Sequence, residues 1–382
     1  MRIAFVTDDV YPGYGGQARA TEGHVRALLA LGHEVRVLAG RDATPTEAPP
    51  GVDVRRLPVC RLGSIQTHLA IPSWRAIDRV LDWADVVHVN LPTPLGALAC
   101  LRARARGVPC VLGVHTQIES STMHFRRGAA WTARGLDLWY RFLFRVPDAL
   151  TAPTAFAAKL ARTRTDRPVL VVSNGIDLPA PTRADLDEAA AMRRAWGGSH
   201  LVAYVGRLSP EKAPMAMLEL AARTSADVAW AVAGDGPSLA DVRARCAALG
   251  IADRVHLLGF VDEQTKHRLL LAADVFVMPS PTELQSIATL EAMARGCAVL
   301  AADHPTSAVP DLVRGAGCGI LYPPDGVPEA ARALEALLRD PPRLERLQER
   351  ARAEVACHDV RRSGVALVRL YTFLAAIAKR RR

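Results

Sequence analysis

Short apolar runs ending in turn residues alternate with stretches of helical periodicity along almost the whole chain, and this alternation limits the fold more than any other feature. Strands are expected over residues 3–6, 34–38, 86–89 and 110–114, with helices over 24–31, 95–106 and 129–145 between or after them. The pattern restarts at Leu201-Val-Ala-Tyr-Val205 and continues through 228–233, 255–258, 275–278 and 298–301. Strands separated by helices build a parallel, doubly wound α/β sheet. At 382 residues the chain exceeds one ordinary core, so two such sheets are expected. The turn-rich Ser173-Asn-Gly-Ile-Asp-Leu-Pro-Ala-Pro181 lies between them. The expected organisation is a Rossmann-like domain over residues 1–175, a linker and boundary helix over 176–198, a second Rossmann-like domain over 199–360, and a terminal amphipathic helix within 361–382. Residues 306–326, rich in Gly and Pro, read as a loop region late in the second domain.

Composition removes several classes. Half the residues are hydrophobic and no low-complexity block occurs, which excludes a disordered chain. The start, Met1-Arg-Ile-Ala-Phe-Val-Thr-Asp-Asp9, is too short an apolar run for a signal peptide, and no run of about 18 uncharged apolar residues is present to span a membrane. The 7 cysteines are scattered singly, with no C-x-x-C spacing, and read as small buried hydrophobes in a reducing cytoplasm. A formal charge of +9, mostly arginine, favours anionic partners. No aromatic RNA-binding signature or helix-turn-helix pattern accompanies it, so nucleic acid is not expected.

The richest stretch is Ser280-Pro-Thr-Glu-Leu-Gln-Ser-Ile-Ala-Thr-Leu-Glu-Ala-Met-Ala-Arg-Gly296. A buried strand ends at Pro279, and a helix from Ile287 to Arg295 is closed by Gly296. Glu283 then lies on the turn entering the helix, and Glu291 about two turns further on. Turns at the carboxyl ends of parallel strands bind ligands. Helix N–H groups attract phosphate, and carboxylates accept hydrogen bonds from sugar hydroxyls. Two ordinary surface carboxylates remain an alternative. Gly206-Arg-Leu-Ser-Pro-Glu-Lys212 follows another strand, where Arg207 and Lys212 suit a diphosphate or are simply solvated.

The first strand leads into Tyr11-Pro-Gly-Tyr-Gly-Gly-Gln17, whose glycines would let backbone approach a phosphate. A dinucleotide fingerprint is disfavoured, because the loop is long and Leu38-Ala-Gly-Arg41 offers no acid for a ribose. No Lys-Ser/Thr follows for a Walker loop. His115 ends a strand, where a structural role is the commoner one. Asp185-Leu-Asp187 is the one Asp-x-Asp, but it follows no buried strand and reads as a solvated helix start, so no metal is expected. Residues 125–146 combine Trp131, Trp139, Tyr140, Phe142 and Phe144 with a stripe of Arg127, Arg134, Arg141 and Arg145. That segment is either a core helix with one solvated edge or a surface helix meeting anionic lipid, assisted by the basic tail Lys379-Arg-Arg-Arg382.

The 280–296 stretch resembles the E-x7-E signature of the retaining glycosyltransferases of family four, which have the GT-B fold. The Leu290-Glu-Ala-Met-Ala-Arg-Gly296 ending matches closely, although the family usually carries Gly where Ser286 stands. The resemblance extends to the Gly-Arg-x-x-x-x-Lys pattern of 206–212, to Gly234-Asp-Gly-Pro237 and Gly259-Phe-Val261, and to Gly15-Gly16 with the later Gly32-His-Glu-Val35. It implies two Rossmann-like domains facing a cleft, with the terminal helix crossing back onto the first. It implies a UDP- or GDP-linked sugar as co-substrate and a small-molecule, glycan or lipid acceptor hydroxyl. Gly15, Gly16, Gly206, Gly234, Val261, Gln285, Ser286 and Ile287 would line the donor. Arg207 and Lys212 would hold its diphosphate, Glu283 its sugar hydroxyls and Glu291 its ribose. His115 would lie close to the transferred sugar, with Gln117, Glu119 and His124 near the acceptor. No carboxylate nucleophile stands out in the first half, so the family's same-face displacement, without metal, is expected. A cytoplasmic monomer or weak homodimer would do this work. A non-catalytic nucleotide-sugar-binding partner protein and a Rossmann oxidoreductase are the rivals.

Overall fold

Each unit of the molecule is a parallel sheet whose order reverses once, and that reversal determines where its loops converge. The computed structural model describes residues 1–10, 15–41, 48–62, 67–119, 129–177 and 179–381. The chain divides into two units, Met1–Asp177 with His358–Arg382, and Leu178–Cys357.

In the first unit the strands are β1 (Arg2–Val6), β2 (Glu34–Gly40), β3 (Val52–Leu57), β4 (Val59–Leu62), β5 (Thr67–Ala70), β6 (Val86–Val89), β7 (Cys110–Gly113), β8 (Ala149–Ala152) and β9 (Val169–Val171). Seven of them form a parallel sheet in the order β3-β2-β1-β6-β7-β8-β9, while β4 and β5 pair as an antiparallel hairpin. The central strands β6, β7 and β8 are buried at every position, as continuous apolar runs covered by helices on both faces must be. The second unit contains β10 (His200–Val205), β11 (Val228–Ala233), β12 (Val255–Gly259), β13 (Val275–Met278), β14 (Ala298–Ala302) and β15 (Gly319–Tyr322), in the order β12-β11-β10-β13-β14-β15. The order switches at β1/β6 in one sheet and at β10/β13 in the other. Crossovers diverge from such a point, leaving a crevice at the carboxyl ends of the two strands.

The terminal helix Val360–Arg381 belongs to the first unit. Its Leu367, Leu370, Tyr371 and Leu374 share one core with Ile3, Phe5, Val25 and Leu28. Tyr371 also donates its hydroxyl, or accepts, at His88 Nδ1, 2.5 Å away beneath the Phe5 ring.

Several elements differ from expectation. Residues 306–326 are not a loop region: they hold the helix Val309–Ala316 and strand β15. Pro310 sits in the first helical turn, where its missing N–H costs nothing, and Gly317 at φ 58 is the left-handed cap. Gly319 is there because a Cβ would lie 2.0 Å from the Val299 carbonyl oxygen. The helix expected from residue 24 already starts at Gly16. Gly15, its N-cap, offers no side chain to mark the start. Cys60 and Cys357 are exposed, against the expectation that all cysteines are buried: Cys60 lies in the short hairpin strand β4 and Cys357 in the 3-10 turn Ala356–His358. Among the described residues no helix is long and apolar enough to cross a membrane.

Candidate functional site

At the β10/β13 switch point, two loops leave adjacent strands and are tied together. Gly206 and Arg207 follow β10, and a short 3-10 turn, Pro210–Lys212, carries Lys212. Ser280 follows β13 and donates its hydroxyl to the Glu211 carbonyl at 2.9 Å. Ser209 in turn donates to Glu211 Oε1 at 2.6 Å. The result brings Lys212 Nζ to 2.5 Å from Glu283 Oε1, 71 residues away in sequence. Tyr204, buried in β10, donates its hydroxyl to the Arg207 carbonyl at 3.1 Å. Burial first, then the charges of Glu283 and Glu211, push its phenol well above the usual range, so both carboxylates lie close to that ring. The Arg207 side chain is exposed.

Backbone approaches closely here. Gly234, the residue after β11, has φ +155, and a Cβ on it would lie 1.9 Å from the Gly206 carbonyl oxygen. The described residues include two non-glycine positions with positive φ, Ala213 and Ser286. They stand beside Lys212 and Gln285, and such strain concentrates at functional sites. Ser286 at φ 62 occupies a conformation that glycine adopts without cost. Its hydroxyl offsets the strain by capping the helix Ile287–Arg295, accepting from Thr289 N–H at 3.3 Å. Gln285 is buried and Ile287 half-buried at the same helix start. Glu283 is held from the other side, its carbonyl accepting from Ala308 N–H at 2.7 Å.

Glu291 lies within the helix rather than on the turn and is only 9% exposed. Lys266, on the helix Glu263–Ala272 that follows Gly259 and Val261, donates to Glu291 Oε1 at 2.8 Å. Sequence reading overlooked Lys266, Ser280 and Glu211. Their partners sit on other elements, so no local spacing announces them.

In the first unit, polar side chains gather at the β1/β6 switch point. Asp8 Oδ2 accepts from Thr93 at 2.6 Å and Oδ1 from Ala70 N–H at 2.9 Å, while burial pushes its carboxyl upward. Gln17 donates to Thr7 and Thr21, each at 3.0 Å, and Asn90 donates to Thr21. Gly15 and Gly16 form the uncapped start of the helix Gly16–Ala30; residues 11–14 of the glycine-rich loop lie outside the described residues. His115 follows β7 and folds back over Gly113, where a Cβ would lie 2.7 Å from the ring. Desolvation, with His24 adding to it, pushes the His115 ring down to about 3, so it is neutral near pH 7. Gln117 and Glu119 follow it; His124 and Arg127 lie outside the described residues.

The helix Ala129–Leu143 is amphipathic rather than a core helix with a merely solvated edge. Tyr140 and Leu143 are buried, whereas Trp131, Leu138 and Phe142 are 76%, 69% and 53% exposed. The exposed set recurs every three or four residues and includes Arg134 and Arg141, followed by Arg145. Asp185 is a helix-start residue: it closes a capping box with Thr182 and pairs with Arg268 at 3.1 Å, while Asp187 pairs with Arg183. Among the described residues no group of three His, Cys, Asp or Glu side chains could hold a metal ion.

Residues 192–354 match the family described as glycosyl transferases group 1, and residues 14–179 match glycosyltransferase family 4. The GDP-mannose-dependent alpha-mannosyltransferase of Mycolicibacterium smegmatis is 31% identical over 337 residues, 85% of either chain. Among solved structures, sucrose-phosphate synthase from Thermosynechococcus elongatus has a TM-score of 0.80 at 20% identity, covering 98% of this chain and 99% of that one. Anabaena HepE in complex with UDP-glucose has a TM-score of 0.77 at 19% identity, covering 97% and 99%. Two parallel-sheet units with these neighbours define the GT-B fold, that of an enzyme class that transfers glycosyl groups. The chain belongs to the group 1, family four glycosyltransferases.

Proposed function

We propose that the chain transfers a hexosyl group from a UDP- or GDP-linked sugar to an acceptor hydroxyl, with retention of configuration and without a metal ion. The observation that carries this reading is the Lys212–Glu283 pair at the carboxyl ends of β10 and β13, with Arg207 on the same loop after β10, beside the close backbone approach of Gly206 and Gly234. Negative charge grows on the diphosphate as the glycosidic bond breaks, and fixed cations there lower the barrier most. Arg207 offers a bidentate fork. Lys212 has three N–H donors, so it can keep Glu283 while meeting a phosphate oxygen. The helix start at Ser286, with Gln285 and Ile287, adds backbone N–H groups. Glu283 accepts from sugar hydroxyls and Glu291 from the ribose, with Val261 and Gly234 on the nucleoside side. The acceptor oxygen bonds to the anomeric carbon on the face the diphosphate leaves, and its proton passes to the departing phosphate oxygen. Neutral His115, together with Gly15 and Gly16, serves the first unit's side of the reaction.

Thermal-shift titration with GDP, UDP and NAD tests the class of ligand. A ligand at about 100 times its Kd adds about 2.7 kcal/mol to the folded state. Stabilisation by GDP or UDP is expected; stabilisation by NAD alone would revive the oxidoreductase reading.

For the acceptor, the exposed Trp131, Leu138 and Phe142 beside Arg134, Arg141 and Arg145 favour a lipid or lipid-linked substrate met at a cytoplasmic anionic membrane surface. Asp137 pairs with Arg141 at 2.6 Å and tempers the charge. Asp166 likewise lies 3.9 Å from Arg145, and an arginine near anionic lipid contributes about 1 kcal/mol, screened by salt. Co-sedimentation with anionic vesicles at low salt, lost at high salt, is expected. No binding at low salt would leave a soluble small molecule or glycan as the acceptor.

A further inference from the structure

Lys266 is 9% exposed, as is Glu291, and its ammonium is shared between Glu291 Oε1 at 2.8 Å and Glu263 Oε2 at 2.9 Å. The two partners come from different places. Glu263 is one turn back on Lys266's own helix and half-open to solvent, whereas Glu291 belongs to the helix Ile287–Arg295. The helix carrying Lys266 is fixed at its start by Asp262, which accepts from Thr265 N–H at 2.7 Å. It is held along its length by Arg268, which meets Asp185 at 3.1 Å. Lys266 is therefore a cation on a braced support, aimed at one of the two glutamates of the 283–291 pair. Burying a carboxylate without a partner is costly, and such a group protonates or turns away. A carboxylate that must accept from hydroxyls has to stay ionised and keep one orientation.

We infer that Lys266 is a positioning residue that keeps Glu291 ionised and oriented for the ribose hydroxyls of the donor nucleotide, without touching the nucleotide itself. This rests on the proposed assignment of Glu291 to the ribose. It makes Lys266 responsible for discrimination at the ribose rather than for affinity in general. The distinction from a merely structural lysine is that only the hydroxyl-dependent part of binding should change.

The test measures dissociation constants of GDP and UDP and of their 2′,3′-dideoxy counterparts, for the wild type, Lys266→Met, Lys266→Arg and Glu291→Gln. For whichever nucleotide binds, the wild type should prefer the ribose form, and Glu291→Gln should erase the preference. Lys266→Met should reduce it about tenfold, in keeping with loss of a charge-assisted hydrogen bond, while dideoxynucleotide affinity stays within about twofold. Lys266→Arg should retain most of the preference. If Lys266→Met does not fold, Lys266→Gln, which keeps a donor without the charge, is read in its place with the same expectation. A full ribose preference in the lysine variants, with Glu291→Gln erasing it, overturns the inference while leaving the Glu291 assignment intact. Equal loss for ribose and dideoxy forms also overturns it, in favour of a structural lysine. If Glu291→Gln leaves the preference unchanged, the ribose assignment falls and takes the inference with it.

Discussion

Gly234→Ala should injure the second unit and its nucleotide affinity together. The new methyl carbon would lie 1.9 Å from the Gly206 carbonyl oxygen and 2.9 Å from its carbon. Even a close carbon–oxygen contact needs about 3.3 Å, so roughly 1.4 Å must be found by moving backbone. The obstacle is main chain, held by Gly206 N–H donating to Ala233 at 3.0 Å and Gly234 N–H donating to Gly259 at 2.8 Å. Overpacking of this kind costs about 1–3 kcal/mol. Forcing alanine to φ +155 adds about 1–3 kcal/mol. Together about 2–6 kcal/mol is a large part of the 5–15 kcal/mol typical of a domain. The retreat of Gly206 also carries Arg207, so GDP or UDP affinity should fall with stability. Urea unfolding followed by tryptophan fluorescence reports the unit through Trp230, fully buried in β11. Gly135→Ala is the control: it sits inside the helix Ala129–Leu143 with nothing within 4 Å of the added carbon. It should stabilise by up to about 1 kcal/mol. A Gly234→Ala protein with wild-type midpoint and wild-type nucleotide affinity would refute the reasoning.

Arg207→Ala and Lys212→Ala should each remove about 2–4 kcal/mol of transition-state stabilisation, visible in turnover more than in the unfolding midpoint; turnover within twofold of wild type for both would remove them from the diphosphate site. Activity should survive chelation, because Asp185 is already engaged by Thr182 and Arg268; loss in chelator restored by manganese or magnesium would contradict this. The first unit should weaken as pH falls from 7 to 5. Burial lowers His24, His88 and His115 below their unfolded value near 6.5, so the unfolded chain binds more protons there and stability drains away below that pH, for His115 down to about 3. An unchanged urea midpoint for that unit between pH 7 and 5 would show that these rings do not resist protonation.

What the sequence reveals of this molecule is mostly what local backbone demands. Gly206, Gly234 and Gly259 stand at strand ends and flag the loops there, while Gly296 is the left-handed cap of the helix Ile287–Arg295. Apolar runs announce the central strands for the same reason, since a strand buried on both faces has no polar positions. Residues 306–326 mislead because Pro310 and Gly317 mark the ends of a helix rather than its absence. The short strands β8 and β9 and the β4–β5 hairpin carry too little periodicity to stand out. The Lys266–Glu291 pair and the exposure of Trp131 are decided by which helix packs beside which, and periodicity is silent on that.

The pairing of lysine with glutamate bears on how an acidic motif can serve an anionic ligand. Two carboxylates beside a diphosphate would repel it, and partial burial would strengthen the repulsion. Here each carries its own ammonium: Lys212 lies 2.5 Å from Glu283 and Lys266 lies 2.8 Å from Glu291. Their four charges sum to none, so the acids can accept from hydroxyls without turning the site negative. Arg207, exposed after β10, offsets Glu211 on the same loop. The two lysines are not equivalent. Lys266 is buried between two helices and shared with Glu263, so it is committed to holding its partner. Lys212 sits on a short turn beside the strained Ala213, with its side chain 26% exposed, and can divide its donors between Glu283 and an incoming phosphate. Loss of Lys212 should therefore register in turnover, and loss of Lys266 in recognition of the ribose.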